Sequence, residues 1–167
     1  MTQRTWERLF VYRIKNEGGL IMAKVLSINI SKKKGIVKEP LEKGIFIENH
    51  GLKGDAHSGE WHRQVSLLGQ ESIDKIIAMG IEDLDPGKFA ENITTEGIEL
   101  YTLPVGTRLR IGETIQEVTQ IGKECHDRCA IYHKVGDCVM PKEGIFTKII
   151  EGGEVKAGDE ITVIEKE

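Results

Sequence analysis

A chain of 167 residues, 39% apolar and 30% charged, has the size and balance of one ordinary globular domain with a sizeable core. Its formal net charge of -4 argues against a dedicated nucleic-acid binder, which needs a basic surplus to displace counterions from phosphates. No apolar run approaches the roughly 20 residues of a membrane span, and charges between Arg4 and Lys15 interrupt any signal-peptide core, so a cytoplasmic protein is expected. In that reducing compartment three cysteines, an odd number crowded between Cys125 and Cys138, do not form a disulfide framework.

Residues 1–21 differ in character from the rest of the chain. Met22 reads as a natural start, and Glu17-Gly18-Gly19 is what a purine-rich ribosome-binding site would encode, so residues 1–21 are expected to be a non-native extension. The alternative is a short N-terminal helix, because Trp6, Leu9, Phe10 and Ile14 fall at helical spacing. From Met22 an alternating strand runs to Ile30 through Val25, Leu26 and Ile28. A short strand covers Ile45 to Asn49, a glycine-rich loop Gly51 to Gly59, and another strand Val65 to Leu68. Gln70 to Met79 reads as an amphipathic helix with Ile73, Ile76 and Ile77 on one face and Gly80 as its left-handed stop.

A further β stretch is expected around Glu91 to Thr95. Thr107–Ile111 and Thr114–Thr119 then flank Gly112-Glu113 as a tight hairpin. Residues 123–140 hold the cysteines, and Gly144 to Gly153 is a short element closed by glycines. A turn at Lys156 to Glu160 leads into the last strand, Ile161 to Ile164. Many short strands at even spacing with one or two short helices predict a mainly β (α+β) domain over residues 22–167, closed or nearly closed into a barrel.

Three segments carry chemistry. In Gly51-Leu-Lys-Gly-Asp-Ala-His-Ser-Gly and the following His62-Arg-Gln-Val-Ser-Leu-Leu, glycines let the backbone approach a ligand. Lys53, His57 and Arg63 supply donors suited to an anion such as phosphate, although a solvated loop with a few charges is the plainer reading. In Gly87-Lys-Phe-Ala-Glu-Asn-Ile-Thr, Asn92 suits either an amide-like ligand contact or the satisfaction of a turn. In Lys123-Glu-Cys-His-Asp-Arg-Cys-Ala-Ile-Tyr-His, the cations Lys123, His126, Arg128 and His133 surround Cys129 and favour its thiolate. That makes Cys129 the first candidate for a nucleophile, sulfur carrier or soft metal ligand, with Cys125 the second. Arg108 and Arg110 share one face of their strand and are candidate additions to the anion site, although charged outer strand faces are common.

Two other readings fit the same residues. Cys125, Cys129, His133 and Cys138 form a Cys₃His set with ligand types that zinc accepts, and a helix through 125–133 would align three of them. A plain cysteine enzyme would pair Cys129 with His57 or His133 as base, but no third group that orients the histidine is evident.

The three segments, together with Val105-Gly-Thr-Arg-Leu-Arg-Ile-Gly leading into the cysteines, occur in an order and spacing that resemble a MOSC domain. That module is similar to the C-terminal part of molybdenum-cofactor sulfurases, and the resemblance covers roughly residues 23–165. It implies a strongly bent β-barrel and a cofactor-associated protein; for molybdopterin the residues offer Lys53, His57 and Arg63 as anion donors and Asn92 as an amide-like contact, with Arg108 and Arg110 as candidate additions. It also implies a thiol that carries sulfur as a persulfide or ligates molybdenum. Cys129 stands at that place, after Arg128 where many relatives have proline, and Cys125 is an additional upstream thiol. The chain carries no pyridoxal-phosphate sulfurase domain of its own. A cysteine desulfurase to load sulfur, or a molybdoenzyme acceptor to receive sulfur or cofactor, is therefore the implied partner. A small molybdenum-dependent reductase component stays open within the same resemblance.

Overall fold

The computed structural model describes residues 9–10, 13–16, 19–125 and 128–164, with side chains from Met22 onward. The fold is mainly β, as the strand-and-turn pattern predicts. In chain order the strands are β1 Leu9–Phe10, β2 Arg13–Asn16, β3 Gly19–Met22, β4 Lys24–Ile30, β5 Glu39–Leu41, β6 Lys43–Ile47, β7 Gly51–Leu52, β8 Val65–Gly69 and β9 Ile93–Glu96. They continue as β10 Arg108–Ile111, β11 Thr114–Ile121, β12 Ile145–Glu151, β13 Gly153–Lys156 and β14 Ile161–Ile164. Three short helices, α1 Gln70–Ile77, α2 Ala130–Val135 and α3 Met140–Glu143, interrupt them, with one 3₁₀ turn at Leu100–Thr102.

The described pieces of the N-terminal segment are strands, where helical spacing points to a short helix. β2 pairs antiparallel with β3, and β1 lies along β14, so edge pairing overrides the weak helical period. Trp6 lies outside the described residues.

Nine strands form one sheet in the order β1-β14-β10-β11-β12-β8-β9-β4-β5, and β13-β6-β7 form a second. Within the large sheet β8 and β9 run parallel, joined through α1; the neighbouring pairs are antiparallel. A parallel pair needs such a crossover, which puts α1 beside the sheet. The ladders leave the large sheet open, with β1 and β5 at its edges. A lone bridge between Lys24 and Glu160, with hydrogen bonds from Ile161 N to Ala23 O and Gly158 N to Val25 O, links β4 back to the start of β14.

The hairpin expected at Gly112-Glu113 is present, with Ile111 paired to Thr114 and Gly112 at φ 54°. In β4 the alternation breaks. The register shifts between Val25 and Ser27, leaving Leu26 partly exposed and burying Asn29 completely. The main core is built from Val25, Ile28, Leu67, Ile93, Leu109 and Ile145. A second apolar cluster joins Leu68, Ile73 and Ile76 to Cys138, Met140 and Phe146, and so ties the cysteine segment to α1 and the sheet.

Buried polar groups fix the loop before β9. Asn29 Nδ2 donates to Glu91 O and to Thr94 Oγ1. The Glu91 carboxylate accepts from the amides of Gly87 (2.7 Å) and Phe89 (3.1 Å) and from the Thr94 hydroxyl (2.8 Å). Burial nonetheless pushes the Glu91 pKa up from its ordinary range. Gly87 is required here, because it sits at φ 89° and an added Cβ would meet the Lys38 carbonyl oxygen at 2.2 Å. No described helix is long and apolar enough to cross a membrane.

Candidate functional site

The loop after β7 folds around one carboxylate. Asp55 Oδ1 accepts from Ser31 N at 3.1 Å and from Lys38 Nζ at 2.7 Å, while its Oδ2 accepts from His57 N at 3.0 Å. Both members of the Lys38–Asp55 pair are withdrawn from solvent, with side chains 1% and 0% exposed. Burial alone would raise the Asp55 pKa, but the Lys38 ammonium and the two backbone amides outweigh it and hold the carboxyl below its usual range.

His57 stands on this pair. Lys38 Nζ lies 3.2 Å from His57 Nδ1, and an ammonium can only donate, so Nδ1 accepts and the ring proton belongs on Nε2. Burial, with the charges of Lys38, Lys34 and Lys123, depresses the His57 pKa, and Asp55 offsets this only partly. At neutral pH the ring is therefore a neutral Nε2–H donor.

His57, Trp61, Arg63, Ser66, Asn92 and Lys123 contribute to the lining of a cleft of about 200 Å³, with Phe146 and Met140 as its apolar wall. The Arg63 guanidinium lies over the Trp61 ring at 4.7 Å and near the Phe146 ring at 5.6 Å. Its Nε is buried and finds no hydrogen-bond partner among the described residues. A buried donor left over in a cationic cleft is suited to an acceptor that is not part of the chain.

Lys123 and Glu124 also line a second cavity of about 420 Å³, together with Cys125, Arg128, Cys129, Tyr132, Cys138 and Pro141. The two cavities share Lys123 and Glu124 in their linings, so the cationic cleft adjoins the cavity of the thiols. Cys129 is the exposed residue immediately before α2, and Arg128 stacks on Tyr132 at 4.3 Å. Cys138 is buried, and desolvation raises its pKa to about 11.

Several expected site residues fall elsewhere or play other parts. Lys53 is exposed and lines neither cavity. Arg108 pairs with Glu117 at 3.2 Å, and Arg108 and Arg110 stand on the face of β10 opposite the core residues Leu109 and Ile111, lining neither cavity. Asn92 reaches the cleft wall but is buried and engaged: its Oδ1 accepts from Ser66 N and Oγ, and its Nδ2 donates to Asn29 O. It shapes the site more than it offers free donors.

The aligned zinc set is not formed. α2 begins only at Ala130, so Cys125 and Cys129 precede it, and His133 is exposed with its ring edge-on to Tyr132. Among the described residues no group of three or more His, Cys, Asp or Glu is placed to hold a metal ion. His126 lies outside the described residues. Trp61 and Lys38 belong to no motif that the sequence displays. Lys38 lies far from any recognisable segment, and only the tertiary fold delivers it to Asp55.

Comparison with known proteins agrees with this architecture. A search of curated proteins finds no match. Among solved structures, the YuaD protein from Bacillus subtilis superposes with a TM-score of 0.73 at 21% identity, over 88% of this chain and 98% of that one. YiiM from Geobacillus stearothermophilus gives 0.66 at 18% identity, over 86% and 75%. YiiM from Escherichia coli gives 0.64 at 17% identity, over 88% and 71%. At such identities the likeness speaks for the fold alone. The profile of the MOSC domain matches residues 54–162, from the loop bearing Asp55 and His57 into the last strand, and on that match the chain belongs to the MOSC domain family.

Proposed function

We propose that the cationic cleft binds a phosphate-bearing molybdenum cofactor beside a thiol, Cys129, that carries sulfur as a persulfide for delivery to a target enzyme. The observation that carries this reading is the lining shared through Lys123 and Glu124, which sets the cationic cleft next to the cysteine cavity. MOSC domains are linked in general to molybdenum-cofactor functions, and the residues fit that group. Arg63, with its unpartnered buried Nε, Lys123 and the neutral His57 would hold the phosphate. Trp61 and Phe146 offer aromatic surface to a flat heterocycle. The cofactor, when bound, supplies the molybdenum and dithiolene chemistry; the chain supplies anchoring and the thiol.

In this reading Cys129 is the acceptor of sulfur because it is exposed and flanked by Arg128, and Cys125 is the secondary thiol. A cysteine desulfurase is the proposed donor and a molybdoenzyme the proposed acceptor. The link from β4 back to the start of β14 through the Lys24–Glu160 bridge is the proposed remnant of a bent barrel. Protein made with molybdate and purified without oxygen tests the cofactor half through its content of molybdenum, zinc and pterin per chain. Molybdenum and pterin in equal amounts, lost in Arg63→Ala, are expected. Stoichiometric zinc without molybdenum, or molybdenum retention indifferent to Arg63, would overturn it.

A further inference from the structure

Resting on Cys129 as the sulfur-bearing thiol, we propose that Cys138 is its resolving partner, a buried thiol that discharges the Cys129 persulfide as hydrosulfide by closing a Cys129–Cys138 disulfide. The fold brings the two ends of this short segment together. Cys129 caps the start of α2, where its carbonyl accepts from His133 N at 3.1 Å. Gly136 ends the helix in the left-handed conformation at φ 78°, its amide donating to Tyr132 O at 2.7 Å, and so turns the chain back. The Asp137 carboxylate accepts from Cys138 N at 2.8 Å and sets the next residue. Cys138 consequently returns to the cavity that Cys129 also lines.

Burial decides what Cys138 can react with. Its side chain packs in the second apolar cluster beside Val139 and Met140, so bulky reagents and partner proteins are kept from it. Cys129, exposed and lining the same cavity, is the thiol that meets donors and acceptors. A sulfur placed on Cys129 thus has one route outward to an acceptor and one inward to Cys138.

The inward step balances without an added oxidant. Cys138 gives up its proton, and its sulfur attacks Cys129 Sγ. The Cys129 Sγ–S bond of the persulfide breaks, and a Cys129–Cys138 Sγ–Sγ bond forms. The sulfane sulfur leaves with the bonding pair as hydrosulfide and takes up the proton. A dithiol reductant then restores both thiols. Because burial keeps Cys138 protonated at neutral pH, with a pKa of about 11, discharge is slow there and the persulfide survives long enough to be handed on.

The test loads the whole chain with inorganic polysulfide, removes the excess, and follows sulfide release and peptide cross-links without added thiol. Expected are sulfide and a Cys129–Cys138 linked peptide in equal amounts, with the rate rising about tenfold per pH unit above neutrality. Cys138→Ser should keep the persulfide and release sulfide about tenfold more slowly or less. Release at an unchanged rate in that variant, or a Cys125–Cys129 link in the wild type, overturns the pairing. Failure of Cys129 to take up any sulfur overturns the carrier reading instead. The pairing then still faces diamide oxidation of the unloaded wild-type protein, where a Cys129–Cys138 link is expected and any other link, or none, refutes it.

Discussion

Lys38 Nζ and Asp55 Oδ1 lie 2.7 Å apart in a pair shielded from solvent, and the same Nζ stands 3.2 Å from His57 Nδ1. Removing one partner of such a pair strands the other charge in the interior, which costs about 3–5 kcal/mol. Lys38→Ala is therefore expected to lower unfolding stability by that order in denaturant titrations. Lys38→Ala combined with Asp55→Ala should recover part of the loss. A single variant as stable as the wild type would mean that the pair is solvated in solution.

The same pair sets the response to acid. The folded-state pKa of Asp55 lies below its ordinary 3.8, so its stabilisation is present above that pH and is lost as pH falls through the lower folded value. His57 is likewise depressed below 6.5, so the unfolded chain binds its proton first and stability falls as pH drops beneath 6.5. Melting temperatures of the wild type should fall in mild acid, and His57→Gln should flatten the portion just below 6.5. An unchanged slope in that variant contradicts the assignment.

Because His57 Nδ1 accepts from the Lys38 ammonium, the ring stays neutral and meets an anion with Nε2–H. Sulfate, whose charge is constant near neutrality, is predicted to bind with an affinity that changes little from about pH 8 to about pH 7. Isothermal titration checks this. A several-fold tightening over that range would contradict the tautomer, and Arg63→Ala should lose about 2 kcal/mol of binding at every pH.

Gly87→Ala should damage the fold and the cleft together. The residue holds φ 89°, and a Cβ there meets the Lys38 carbonyl. Strain of about 1–3 kcal/mol is expected in urea unfolding, with weakened sulfate binding because Lys38 and His57 move with that carbonyl. Full retention of both would show that the loop adapts.

The sequence made the strands legible wherever period and turn chemistry coincide, as in the Gly112 hairpin and the last strand. The bulge in β4 was not readable, because Asn29 is buried by its tertiary partners Glu91 and Thr94, which lie more than 60 residues away in the chain. Of the candidate site, His57, Arg63, Cys129 and Cys125 could be named because their segments concentrate donors and thiols. Lys53 is named as a loop donor and Arg108 and Arg110 as one face of a strand, and none of the three lines either cavity. Proximity along the chain does not say which face a side chain takes, and β10 turns Arg108 toward Glu117. Lys38 carries no local signature at all; its role arises when Gly87 accepts its amide and brings it over Asp55.

Peptide mapping after incubation with a cysteine desulfurase and cysteine reads out whether Cys129 carries sulfur. One sulfur atom on the Cys129 peptide, absent in a folded Cys129→Ala variant and retained in Cys125→Ala, is the predicted result. Sulfur on Cys125 alone, or loading undiminished by Cys129→Ala, would contradict it.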